Sequence, residues 1–421
     1  MPDDFFKGYV SVLDFGACPN SFEDDTAAFQ EAVRDGRSIY VPSGIYYIRE
    51  PLLLTNCNFI GAGSFATQIL SICEDPSLPI LYTERSCVIS DMCIGYRSDL
   101  ITGEETEGQR IGIITKGELW CLQRCSTIRN LRIVDCGTAI YSADSDGLLG
   151  GPFSVLFESL EIQDFSFRGI DFTSRNRSGN VFENIYMCSE RPNVDAMINL
   201  RGEDSQLSIH QLNLEHTKCR TALRFIDVYT FSISTLHIQN IQVPEGGNIF
   251  ELHNSAGHID ALDVYYLPIP APDIHLFWIG DGLYDTHIPK MDRPNTVRKL
   301  WIGQLHVKGM NDPTFQQPDV HYSMDRYQEL RFFFFYRPEE ALGEYRVHVE
   351  DYIWFSYKND QEFYETMPRD PYGRLTFTKL GELPLSGPTD QRPRTRLCPY
   401  CTGYFDTDLN RYVVYDGQDW N

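Results

Sequence analysis

Eight seven-residue segments recur through this chain: VISDMCI (88 to 94), TIRNLRI (127 to 133), LFESLEI (156 to 162), VFENIYM (181 to 187), SIHQLNL (208 to 214), SISTLHI (232 to 238), HIDALDV (258 to 264) and WIGQLHV (301 to 307). Each carries apolar residues at its second, fifth and seventh positions, and from Ile162 to Val264 the last position returns after 25, 27, 24 and 26 residues. An inward residue, a two-residue bend and a short strand alternating in and out would give this pattern. Copies stacked about 4.8 Å apart form parallel sheets. A helical repeat would need longer runs of 3.6 periodicity, so the segments predict a solenoid of strands.

A strand solenoid has an exposed edge at its first rung, a site for unwanted pairing. The opening of the chain predicts the answer. In SFEDDTAAFQEAVRDG, Asp24 or Asp25 can cap a helix of about three turns whose apolar side holds Ala28, Phe29, Ala32 and Val33, with Gly36 ending it. SIYVPSGIYYI then reads as strand, turn and strand.

The chain has 421 residues, 42% hydrophobic and 13% aromatic, enough for a large core. Its 36 Lys plus Arg against 59 Asp plus Glu leave a net charge of -23, which argues against a nucleic-acid partner or an anionic membrane surface. No stretch approaches the roughly 18 to 20 apolar residues of a membrane span, so no membrane insertion is expected. MPDDFFKGYV lacks the basic start and apolar centre of a secretory signal, and folding in a cytoplasm is the expectation. Twelve cysteines at irregular spacing do not read as a disulfide framework. CPYC at 398 to 401 has no second Cys/His pair nearby, which speaks against a metal or redox role; no metal or cofactor is assigned.

Residues 12 to 69 contain VLDFGA, EDDTAAFQEAV, IYVPSGIYYI, LLLTNCNFIGAG and TQI in that order. This stretch resembles the start of the pectate-lyase-like right-handed β-helix found in bacteriophage tailspikes and related polysaccharide-degrading enzymes. DQRPRTRLCPYCTGYFDTDLNRYVVYDGQDWN, residues 390 to 421, is similar to a short module at the end of many phage tail and fibre proteins. It reads as a hairpin, Tyr404 and Phe405 against Tyr412 to Tyr415, around DTDLN.

The resemblance implies an all-β fold: a right-handed parallel β-helix with a short N-terminal helix-bearing cap and a C-terminal β-domain. The expected boundaries are a cap at 1–55, the β-helix at 56–315, a C-terminal β-domain at 316–385 and a linker plus terminal hairpin at 386–421. LPIPAPD and HIPKMDRPN read as insertions between late rungs, and LPLSGPTDQRPRTR as a linker by composition. The resemblance also implies a homotrimer in a virion tail, assembled in the host bacterial cytoplasm and acting at the host surface. Its partners there would be a bacterial surface polysaccharide and other phage tail proteins. Two other readings stand beside it: a non-enzymatic structural or adhesive tail protein on the same fold, and a cellular polysaccharide-degrading enzyme.

Aligned rungs turn sequence columns into surface ladders. The outward position before each final apolar residue reads Glu161, Tyr186, Asn213, His237, Asp263 and later His306, and the bend column reads Glu158, Glu183, His210, Ser234 and Asp260. Glycoside hydrolysis needs two carboxyl groups about 5 to 5.5 Å apart for retention, or about 6.5 to 9.5 Å for inversion, distances that neighbouring rungs offer. Glu158 with Glu183, Asp260 with Asp263, and Glu215 with either form possible acid/base pairs, and His237 beside Asp263 an oriented general base. The expected catalytic set is therefore Glu183, Glu215, His237, Asp260 and Asp263. Glu158, Tyr186, Asn213, Tyr265 and Tyr266 are expected to bind substrate, the two tyrosines serving equally well to close a subunit interface. No tight Asp cluster with a basic neighbour appears at rung spacing, which places a hydrolase ahead of a lyase. Outward polar residues also keep any solenoid soluble, and an acidic chain brings carboxylates together by chance.

Overall fold

The computed structural model describes residues 8–84, 86–116, 126–142, 151–173, 177–201, 204–205, 207–228, 230–244, 248–265, 275–280, 298–308, 331–336, 345–355, 375–378, 385–387, 389, 403–409 and 411–414. The protein is mostly β, a right-handed parallel β-solenoid of about eight turns. Its contacts divide it into two compact units, residues 1–218 and 219–421.

In the first unit, helix Thr26–Val33 buries Ala28, Phe29, Ala32 and Val33, the face expected from the sequence. Of the two aspartates, Asp24 makes the N-terminal bond: its Oδ1 accepts the Thr26 amide at 3.0 Å and the Thr26 hydroxyl at 2.5 Å. Asp25 instead accepts the Cys18 amide at 2.7 Å. Gly36 closes the following turn at φ +67°. Phe29 meets Tyr46 edge-on at 5.4 Å and Phe59 at 6.3 Å. The helix thus seats one ring over the first turns and covers what would be an open edge.

Three parallel ladders follow, one of them joining Gly44–Ile48, Thr67–Ser71 and the end of Val88–Tyr96. Tyr9–Ser11, Ser38–Val41, Asn58–Gly61, Val88–Tyr96, Thr127–Val134, Leu156–Gln163 and the start of Val181–Arg201 make the first. Leu52–Thr55, Leu81–Glu84, Ile111–Lys116, Thr138–Ser142, Arg168–Phe172 and the end of Val181–Arg201 make the second. Met92, Leu131, Leu160 and Ile185 stand in register at the fifth segment position, all 1% exposed or less. Beside them Phe157 stacks on Phe182 at 4.8 Å.

The expected bend has a backbone signature. The fourth segment residue is left-handed at Asp91, Asn130, Ser159 and Asn184, with φ between 49° and 62°. Asn and Asp tolerate this region because their short polar side chains bond locally; Asn130 Nδ2 donates to Asp91 Oδ1 at 2.5 Å. At the same position Gln211, Thr235 and Ala261 keep negative φ. A β-branched Thr resists the left-handed region most, so the left-handed bend is confined to the earlier segments.

In the second unit, Phe231–Gln239, Gly257–Tyr265, Arg298–Lys308 and Tyr345–Phe355 form one parallel ladder. Residues 221–226, Asn248–His253, His275–Gly280 and Arg331–Tyr336 form another. Leu236, Leu262 and Leu305 form a buried column, and Phe250 stacks on Phe277 at 4.4 Å. Parallel pairing runs to Phe355, beyond residue 315 where the repeat spacing is lost. The apolar alternation of EYRVHVEDYIWF suffices to extend the ladder although its bend signature is gone. Leu375–Thr378 then adds an antiparallel strand to Tyr345–Phe355.

The terminal hairpin pairs Gly403–Asp406 with Arg411–Val414, Tyr404 opposite Val413 and Phe405 opposite Tyr412. Leu385–Gly387 joins it as a parallel strand. Of the segment expected as a linker by composition, only residues 385–387 and 389 lie within the described residues. The two Pro-rich insertions and CPYC lie outside the described residues. Among the described residues no helix is long and apolar enough to cross a membrane, and no group of three metal-ligating side chains assembles.

Candidate functional site

The sixth segment position faces outward in each unit. In the first, Cys93, Arg132, Glu161 and Tyr186 stand in register on consecutive rungs. Arg132 Nε lies 3.3 Å from Glu161 Oε2, and its Nη2 donates to Gln163 Oε1 at 3.0 Å. Gln163 Nε2 donates back to Glu161 Oε1 at 2.7 Å, closing the network. The guanidinium sits 4.4 Å from the ring centroid of Phe65, which is 70% exposed. Phe65 follows a turn at Gly63, whose φ of +145° favours glycine. An aromatic ring is thereby held open to solvent on the face of a cation tied to Glu161 and Gln163. Tyr186 is half-buried; burial, then its bond to Cys188 and the charges of Glu215 and Glu161, push its phenol above the ordinary range.

The bend column of this unit carries carboxylates. Register pairs Arg129 with Glu158 and Glu158 with Glu183, which sets the two glutamates about 4.8 Å apart at the backbone. Glu183 Oε2 lies 3.8 Å from His210 Nδ1, both half exposed. Two carboxyls at rung spacing beside an imidazole can share proton-transfer work across a glycosidic bond. Asn213 occupies the outward position of its own rung, half-buried.

In the second unit the outward column is His237, Asp263 and His306, in register. The Asp–His pair formed here is Asp263 Oδ1 with His306 Nδ1, at 2.9 Å. His237 Nε2 lies 3.2 Å from Gln239 Oε1, and its ring 5.2 Å from that of Tyr265. Asp260 sits at the bend with His258 Nε2 at 3.8 Å, and that same nitrogen is 2.9 Å from Ser232 Oγ. Asp260 and Asp263 stand three residues apart on one strand and have different imidazole partners. Tyr266 lies outside the described residues.

Sequence reasoning left Phe65, Arg132 and Glu161 out of the candidate set, and His306 too. Glu161 and His306 stood in the outward column already; Phe65 lies in a loop outside the repeat and gave no periodic signal.

Each unit also buries an ionic network. In the first, Arg168 donates to Asp171 and Asp195 at 2.7 Å, and Asn199 donates to Asp171 at 2.6 Å. In the second, Arg224 Nε donates to Glu251 Oε2 at 2.6 Å, with Asn248 on Oε1 at 3.0 Å and His253 3.7 Å away. Burial works to raise the Glu251 carboxyl, but His253, Arg224 and Asn248 outweigh it and bring it down to about 2. Burial lowers His253. Such closed networks fix side-chain geometry rather than offer a reactive group.

Residues 9–71 match the family of rhamnogalacturonase A/epimerase, pectate lyase-like proteins. No curated protein matches the chain by sequence. Among solved structures, the tailspike of Acinetobacter phage vb_AbaP_AS12 superposes with a TM-score of 0.59 at 11% identity, covering 98% of this chain and 76% of that one. The Agl-KA catalytic domain gives 0.46 at 15% identity over 80% of this chain and 63% of that one. The Azotobacter vinelandii mannuronan C-5 epimerase AlgE4 A-module gives 0.41 at 13% identity over 83% and 98%. This chain therefore spans 63% of the length of the Agl-KA domain. At these identities the likeness is one of fold.

Proposed function

We propose that this pectate-lyase-like β-helix protein is a tailspike-like virion protein that binds and depolymerises a bacterial surface polysaccharide, in the manner of a glycoside hydrolase. The observation that carries the reading is the first unit's outward face. An exposed aromatic ring backed by Arg132 stands on a ladder that continues through Glu161 to Tyr186, with Glu158 and Glu183 paired alongside. A sugar chain lying along the axis meets a stacking surface, hydrogen-bonding groups and a carboxylate pair in turn. The fold shared with a phage tailspike across 98% of the chain supports the virion setting. In the first unit Glu215, near Tyr186, and Asn213, on the outward position of its rung, belong to this proposed set; in the second unit His237, Asp260, Asp263 and Tyr265 are proposed separately as binding and catalytic candidates.

The test is incubation with capsule or lipopolysaccharide of the host, reading new reducing ends for hydrolysis and unsaturated-sugar absorbance for lyase chemistry. Glu183→Gln is expected to lower turnover by about 100-fold, and Phe65→Ala to weaken glycan binding by about tenfold, both with folding intact. Turnover and affinity equal to the parent in both variants would place the site elsewhere. Binding without any cleavage product favours the second reading, an adhesive tail protein, and no binding at all removes both.

A further inference from the structure

Cys57 and Cys87 lie on consecutive turns of the first unit, each one residue ahead of the paired residues Asn58 and Val88. The Val88 amide donates to the Cys57 carbonyl at 3.0 Å, which holds the two backbones at ladder spacing, about 4.8 Å. Both side chains turn inward, 4% and 3% exposed, and both thiols are free. The Cys87 thiol donates to the Leu54 carbonyl at 3.4 Å, on the turn that carries Cys57. A disulfide spans Cα separations of about 4.4 to 6.8 Å, so the spacing suits one. On the next turn Ser126 takes the same place, its hydroxyl accepting the Cys87 amide at 3.1 Å.

We propose that Cys57 and Cys87 form a redox-controlled cross-link, open while the chain folds and closed when the protein meets a low-molecular-weight disulfide such as oxidised glutathione. The neighbouring Cys57 thiol brings the Cys87 thiol down to about 7, while Cys57 is raised by Cys87 and by burial, which makes Cys87 the attacking sulfur. Its thiolate displaces one half of the oxidant, forming a mixed disulfide and releasing one thiolate with the bonding electron pair. Cys57 then gives up its proton and displaces the second half from Cys87. Two protein thiols are oxidised, one disulfide is reduced to two thiols, and the two protons end on the leaving sulfurs. A groove of 590 Å³ lined by Arg34, Leu53, Thr55 and Asn56 among others lies beside the turn that carries Cys57. The closed link ties the turn beneath the cap helix to the next one and closes the loop from 57 to 87 in the unfolded chain as well.

The full chain is purified with its thiols reduced, held overnight with oxidised glutathione, then unfolded in N-ethylmaleimide, digested and mapped by mass spectrometry. The expected product is a single cross-linked pair of peptides joining Cys57 to Cys87, two hydrogen masses lighter than the reduced pair. The oxidised parent is expected to melt at a higher temperature than the reduced one. Cys57→Ser and Cys87→Ser each lose the linked peptides and the melting shift; Ser126 shows that this column accommodates serine. The proposal is overturned if both cysteines carry the alkyl label after oxidation, if either is joined to another cysteine, or if a glutathione adduct persists on Cys87. Should either variant fail to fold, the parent's peptide map decides the matter alone.

Discussion

At the residue scale, Glu251 and His253 give the protein a specific acid sensitivity. Glu251 is held at about 2 against an ordinary 4.5, so in the unfolded chain it takes up a proton first as pH falls. Its contribution to stability is complete above about pH 4.5 and is lost as pH drops through 2, on the order of 3 kcal/mol in all. His253 is lowered from 6.5; the unfolded chain again binds the proton first, so destabilisation begins below 6.5. Circular dichroism between pH 7 and 2 should show stability falling across this window. Glu251→Gln should flatten the lower part of the curve and destabilise the fold at pH 7, because Arg224 is left buried without its charge partner. A variant with the parent's pH profile would refute this account. None of this was legible in the sequence: Arg224, Glu251 and His253 sit in strands outside the recurring segments, and only the ladder register sets Arg224 against Glu251. The outward column of the segments was legible, since strand alternation fixes which residues face out. Which neighbour each side chain bonds was not: Asp263 takes His306 rather than His237.

At the scale of elements, the left-handed bends and the cap helix make separable demands. Asn184 has φ 55° and an exposed side chain. Asn184→Gly should leave the melting temperature nearly unchanged, while Asn184→Val should cost about 1 to 2 kcal/mol, because a β-branched residue resists this backbone. Equal melting temperatures for the two variants would mean the bend is not held by its backbone conformation. In the cap, Phe29→Ala removes the ring seated against Tyr46 and Phe59 and should cost about 3 to 5 kcal/mol. Light scattering on that variant should also report aggregation, as the first edge loses its cover. The cap was readable because helix periodicity and its breaker are local signals. The end of the ladders was not, because pairing of Tyr345–Phe355 depends on a neighbouring strand that no local pattern announces.

At the scale of the whole molecule, the proposed virion role carries an assembly state. Sedimentation should give a trimer of the 48.5 kDa chain, and a truncation before Leu330 should weaken it. A monomer at micromolar concentration would refute the trimer while leaving glycan binding to be judged separately. The strand Leu375–Thr378 has a different consequence. Among the described residues every pairing before it in its ladder is parallel, and it runs antiparallel on Tyr345–Phe355. A parallel edge is a template on which the next copy of the same turn can grow. A reversed strand presents the wrong polarity to such a copy. Growth by addition of identical turns is expected to be disfavoured at such a strand, and removing 375–378 should shift the protein toward larger assemblies in light scattering.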